Sequence, residues 1–165
     1  MPDSAQSRYE ELRRYATRTA LLGSVEELLG WDERTLMPPA NAEYRAEQMT
    51  LISGMIHQRW TDQRLGDLLD ELAQSPLAED EHSNSGATIG RLRHERDKKV
   101  KLPQALVEEL TRSAVMGQNA WQKARQDDDF PAFRPWLEKI VELKRQEAAA
   151  LGYEQSAYDA LLDDF

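Results

Sequence analysis

Cysteine is absent from this chain. No disulfide can staple it and no thiolate can hold a metal, a composition that fits a cytoplasmic protein. Histidine occurs only at positions 57, 82 and 94. No two imidazoles are therefore four residues apart, the spacing that sets a pair on one helical face to grip a metal ion. No stretch approaches roughly eighteen uninterrupted apolar residues, so no membrane-spanning helix is expected. The opening residues, MPDSAQSRYEELRRY, lack a basic region followed by an apolar core and do not read as a secretory signal. There is no Gly-rich phosphate loop and no Ser nucleophile elbow. Positive charge is also scarce: 21 Lys and Arg stand against 30 Asp and Glu, a formal charge of −9. That balance repels a phosphate backbone, and nucleic acid is not an expected partner. The basic run RLRHERDKKVK, residues 91 to 101, is broken by Glu95 and Asp97 and reads as a solvated helix face.

What is present is helical. Hydrophobic residues make up 40% of the 165 and charged residues 31%, enough apolar material for one folded domain. Helical periodicity recurs throughout while strand alternation does not, so the expected class is all-α, an antiparallel bundle-like array of about six or seven helices spanning residues 1 to 165. A first helix starts near Ser4 and carries Leu12, Tyr15, Thr19 and Leu22 on one stripe. Gly23-Ser24 is expected to interrupt or kink it before Val25, Leu28, Leu29 and Leu36, and Pro38-Pro39 to end the run. A second helix begins around Pro39 to Asn41 and continues through Arg45, Met49, Ile52 and Ile56 toward Trp60. Thr61 would cap a third containing Leu65, Leu68, Leu69 and Leu72. The segment QSPLAEDEHSNSG, residues 74 to 86, is a loop with room for a helical turn.

A mostly charged fourth helix, Ala87 to Val100, is expected at the surface. Pro103 fits the first turn of a fifth, with the stripe Leu106, Leu110, Ala114, Gly117, Trp121 and Ala124; its small residues would let another helix approach. Asp127 to Asp129 mark a turn. The sixth helix begins near Pro131 with Phe133, Leu137, Ile140, Lys144 and Ala148 on one side and Trp136, Val141 and Leu151 beside it, and stops at Gly152. YEQSAYDALLDDF then starts another amphipathic helix with Tyr158, Leu161, Leu162 and Phe165 apolar.

Candidate chemistry is sparse. In HERDK, Lys98 stands where a second metal-binding histidine would have to be, so His94 reads as surface; His57 reads as a helix-end residue. Asp32 and Glu33 beside Trp31 could form a tuned acid pair, but a solvated turn, or an Asp bound to a helix end, is the preferred reading. The Trp and Met residues fall at helical spacing and read as core. Taken alone, the residues describe an acidic helical protein without a visible catalytic site.

Five blocks in order change the picture. LLGWDERTLMPP followed by AEYRAEQM resembles the N-terminal signature of the carboxypeptidase Taq family of metallocarboxypeptidases. The resemblance continues through HQRWTDQRLGDLL, KLPQALVEEL, AWQKAR with DFPAFRPWLEKIVELKRQEA, and LGYEQSAYDALLDDF, from about Tyr9 to Phe165. It implies the N-terminal part of a longer helical groove-type peptidase, homodimeric, that removes C-terminal residues from peptides using zinc or cobalt held by an HExxH helix and a downstream Glu. Two His one turn apart hold such a cation, and the Glu between them takes a proton from its water. This sequence contains no HExxH, so the resemblance carries over no catalytic, metal or cofactor residue, and the chain alone is expected to be inactive; zinc or cobalt belongs to a complete member only. Asn41 replaces the usual Gly after Met-Pro, a residue that tolerates a left-handed turn.

By the same resemblance WDERTLMPP is a helix-to-helix corner. Trp31 and Met37 are expected to pack in the core, Asp32 and Arg45 to make polar contacts, and Pro38, Gln48, Trp121 and Arg125 to complete the structural motif. The expected partners are a second copy or the family's C-terminal catalytic portion, with a peptide substrate only in a complete enzyme and no membrane. The alternative is a stand-alone helical interaction or dimerisation module derived from the family.

Overall fold

The computed structural model describes residues 4–162, and all regular structure among them is helical. The helices are α1 (Ser4–Thr35), α2 (Ala42–Thr61), α3 (Gln63–Ala73), α4 (Asn84–Lys99), α5 (Gln104–Gln126), α6 (Phe130–Leu151) and the short α7 (Asp159–Leu162), with 3-10 turns at Pro39–Asn41 and Pro76–Ala78. The chain groups into two compact units. Met1–Ser24 with Ile56–Lys101 forms the first and Val25–Met55 with Leu102–Phe165 the second, so α1 and α2 each contribute residues to both.

The first unit is built on leucine. In α3, Leu65, Leu68, Leu69 and Leu72 recur at helical spacing and are all buried, joined by Leu12 of α1 and Ile89 of α4. Each such side chain contributes about 1.5–3 kcal/mol on leaving water, which is why so short a helix is stable here. Asp62, not Thr61, caps α3: its carboxylate accepts from the Arg64 amide at 2.9 Å. Thr61 is instead the last residue of α2, its hydroxyl turned back to donate to the His57 carbonyl at 3.0 Å. The loop does contain a helical turn, and α4 starts at Asn84, three residues earlier than its apolar pattern suggests, because the Ser83 hydroxyl accepts from the Gly86 amide. Gly86 is required there, since a Cβ would lie 2.1 Å from the Asp80 carbonyl oxygen. The charged α4 still sends Ile89 into the core. His57 lies near the end of α2, as expected, and is buried there, and His94 is exposed as expected.

In the second unit α5 folds back on α6 through Asp127–Asp129. Asp128 takes the left-handed conformation, φ 58°, which short polar side chains tolerate, and Asp129 caps α6 by accepting from the Ala132 amide. Gly117 lets the helices close: a Cβ there would stand 2.8 Å from Ile140 Cδ1. Ala114, expected on the same stripe, is exposed; the buried residues of α5 are Leu106, Ser113, Val115, Gly117 and Ala124. α6 keeps Phe133, Ile140 and Ala148 of its expected face covered, with Trp136 beside them. Leu143 is covered as well, while Leu137 and Lys144 face water. Pro103 precedes α5 as its N-cap, and Gly152 ends α6 with φ 86°.

Gly23-Ser24 does not interrupt α1. Ser24 donates its hydroxyl to the Leu21 carbonyl at 2.8 Å, so the polar side chain is satisfied inside the helix, and a lone Gly costs only about 1 kcal/mol. Of the expected C-terminal helix only Asp159–Leu162 is described; Tyr158 precedes it and is exposed, and Phe165 lies outside the described residues.

Candidate functional site

The Met-Pro-Pro corner of the second unit is where most of the singled-out residues meet. α1 ends because Pro38 and Pro39 cannot continue it, and the Asp32 carbonyl closes the last turn by accepting from the Leu36 and Met37 amides at 3.0 and 2.9 Å. Pro38 is extended, Pro39–Asn41 makes one 3-10 turn, and α2 begins at Ala42. Asn41 is not left-handed: Asp128 is the sole non-glycine residue with positive φ among the described residues. Ala42 and Ala46 are buried on α2.

Arg45 holds the corner. Its Nη1 donates to the Leu29 carbonyl at 2.5 Å, its Nη2 to Asp32 Oδ2 at 2.6 Å, and its Nε to Gln48 Oε1 at 3.1 Å. The Arg45 side chain is 12% exposed and that of Asp32 34%. Two fixed, charge-assisted bonds to one helix and a third to its own helix make the guanidinium a rigid brace. Asp32 is thus neither a loose turn residue nor half of an acid pair, since its carboxylate is engaged by a cation. Glu33 lies in a different setting. Burial pushes its carboxyl above the ordinary range, with Arg34 and Arg45 pulling the other way. It borders a cavity of about 370 Å³ with Glu26 and Gly30 of α1, Met49 of α2 and Thr111 and Gln118 of α5.

The remaining positions separate. Trp31 is 55% exposed and does not enter the core, because the covered face of α1 here is the one bearing Leu29, Gly30 and Glu33. Met37 is half-buried and Pro38 exposed. Trp121 and Arg125, one turn apart on α5, pair with each other, the guanidinium 5.5 Å from the ring centroid, and take no part in the Arg45 hydrogen bonds.

Chemically, the corner fixes backbone rather than activating a nucleophile. Among the described residues no three His, Asp or Glu side chains gather as a group able to hold a metal ion. No helix among them is long and apolar enough to cross a membrane. Sequence reasoning missed the Glu33 cavity; its signal was the i, i+4, i+7 spacing of Glu26, Gly30 and Glu33, which brings two carboxylates and a gap onto one helical face.

Comparison with known proteins gives a consistent result. The family model for carboxypeptidase Taq (M32) metallopeptidase matches residues 11–165. Thermostable carboxypeptidase 1 of Thermus thermophilus is 31% identical over 169 residues, covering 97% of this chain and 33% of that protein. Carboxypeptidase 1 of Bacillus subtilis is 32% identical over 140 residues, 84% of this chain and 27% of that one. Among solved structures, the crystal structure named BsuCP superposes with a TM-score of 0.88 at 28% identity, covering 96% of this chain and 32% of its own. The Pyrococcus furiosus carboxypeptidase structure gives 0.75 at 25% identity over 100% and 32%. The chain therefore spans about a third of the length of the relatives it matches.

Proposed function

Because the chain belongs to the carboxypeptidase Taq (M32) metallopeptidase family, we propose that it is the N-terminal helical region of a metal-dependent carboxypeptidase that removes C-terminal residues from peptides, and that these 165 residues release none by themselves. One observation carries the reading: the likeness runs through nearly the whole chain yet accounts for only 33% of a relative such as the Thermus enzyme. The donor set agrees. An HExxH site for zinc or cobalt has two imidazoles a turn apart, and His57, His82 and His94 do not supply them. The part played by this region is architectural, a helical wall whose Asp32–Arg45 corner sets the direction of α2 against α1. We place the working protein in the cytoplasm, in keeping with a chain free of cysteine.

The test is to incubate the purified chain with zinc or cobalt and a peptide bearing a free C-terminus, then read the peptide by mass spectrometry. No shortened product is expected. Chelator-sensitive loss of C-terminal residues would overturn the inactivity.

A second reading, a stand-alone dimerisation module, draws on one specific feature. On α2, Tyr44, Leu51 and Met55 fall on one face and are 64%, 64% and 43% exposed, an apolar surface fit for a second copy. Light scattering separates the two: a stable dimer of the 165-residue chain favours the module, a monomer the dependent region.

A further inference from the structure

We propose that the first unit carries a binding site for a small phosphorylated molecule, in a cleft of about 520 Å³ formed by Arg14 and Arg18 of α1, Arg59 of α2 and Arg64 of α3. Its volume lies within the usual range for small-ligand sites. Tyr15 and Glu11 complete the lining, so four guanidiniums face one carboxylate in a protein whose formal charge is −9.

The state of each arginine points to an anion. Arg59 is half-buried and held in one orientation: its Nε donates to Thr19 Oγ1 at 2.9 Å, its Nη2 to the Tyr15 carbonyl at 3.1 Å, and its guanidinium sits 4.2 Å from the Tyr15 ring centroid. Both hydrogen-bond partners are neutral, and Nη1 takes part in neither bond. A guanidinium withdrawn from water and positioned without a carboxylate is arranged to receive a negative group. Arg14 and Arg18 are one helical turn apart, a like-charge spacing that opposes helix formation, and neither guanidinium forms a hydrogen bond or ion pair with a described residue. Several other arginines have carboxylate partners, as in Arg93 with Asp70, Arg112 with Glu43 and Arg134 with Glu138, while Arg34 donates to the Gly30 carbonyl and Arg125 lies over the Trp121 ring. Glu11 is already bound by Arg8 and Arg64. Asp62 accepts from the Tyr15 hydroxyl at 3.3 Å and is the nearby acid that would limit how deep an anion settles. Guanidiniums bind phosphate in a two-pronged geometry, and several converging on one cleft favour a multiply charged phosphate over a single carboxylate.

This inference does not rest on the peptidase reading, and its test involves no hydrolysis. The full 165-residue chain is titrated calorimetrically with pyrophosphate at low salt, and separately with citrate. Saturable pyrophosphate binding is expected, weakened roughly tenfold by Arg14→Gln or Arg18→Gln and further by the double variant. Both residues are exposed and Gln is a good helix former, so circular dichroism should show an unchanged fold. Arg134→Gln, in the second unit, should leave the affinity as it was. Absence of pyrophosphate binding, equal binding by the double variant, or citrate bound more tightly than pyrophosphate would each overturn the assignment.

Discussion

Replacing Arg45 by Ala removes three hydrogen bonds at once, and the structure sets the size of the loss. A bond to a charged group contributes about 1.5–3 kcal/mol, and breaking a buried ion pair on one side costs about 3–5 kcal/mol because the other charge is left stranded. Asp32 is not fully stranded here. With 34% of its side chain exposed, water can replace much of what the guanidinium gave. The Leu29 carbonyl lies inside α1, where the helix supplies an amide donor of its own, and Gln48 can turn to solvent. The expected cost is therefore about 2–3 kcal/mol, the loss of one well-formed charged bond plus the packing of a side chain only 12% exposed. In a chain of this size that corresponds to a fall in Tm of roughly 4–12 °C. Urea denaturation followed by circular dichroism measures it. Arg45→Lys should recover less than half, since an ammonium cannot span the Leu29 carbonyl and Asp32 as a planar fork does. A double-mutant cycle with Asp32→Ala should give a coupling of about 1–2 kcal/mol. An Arg45→Ala protein within about 0.5 kcal/mol of the parent, or one indistinguishable from Arg45→Lys, would refute the brace.

Three further outcomes are expected. Gly86→Ala should destabilise the first unit by about 2 kcal/mol or more, because its Cβ would strike the Asp80 backbone, and hydrogen exchange should show the start of α4 opening first. Asp62→Ala should cost about 1 kcal/mol by uncapping α3 while Thr61→Ala costs much less, and equal losses would reverse that assignment. Burial raises the Glu33 carboxyl pKa in the folded chain, so between the ordinary value and the raised one the native state holds the extra proton, and stability from this group falls as pH rises through that window. Glu33→Gln should accordingly be more stable than the parent at neutral pH, with the advantage vanishing below the ordinary carboxylate range; an advantage that does not change with pH would remove burial as its cause.

Helix boundaries were legible wherever backbone chemistry enforces them. Pro38-Pro39, the three aspartates at 127 to 129 and Gly152 each act locally, and each ends or turns the chain where the sequence indicates. Faces were harder. On α6 apolar residues ring much of the helix, so Leu137 and Ile140 were equally eligible for burial, and only the gap at Gly117 decides in favour of Ile140. Trp31 misled for a related reason: a large aromatic reads as core, but its neighbours Gly30 and Glu33 face the inside and turn it outward. Gly23-Ser24 misled because a two-residue breaker is weak against a helix held on both sides of it. The Arg45 brace was half-readable, since an Asp and an Arg on either side of a proline corner invite pairing, whereas the Leu29 carbonyl has no sequence signature. The arginine cleft was beyond reach. It draws on α1, α2 and α3, and only folding shows that Arg59 rests on Tyr15 while Arg14 and Arg18 line the same cleft.

The Arg45 brace also bears on the order in which the molecule can be made. Its acceptors lie 16, 13 and 3 residues away, so closing the corner encloses only a short loop and loses little chain entropy. The packing of α5 on α6, by contrast, involves residues from Gln104 onward. A ribosome emits residues 29 to 48 well before those, and because local contacts form fast, the corner can be set on the nascent chain while the second unit is still incomplete.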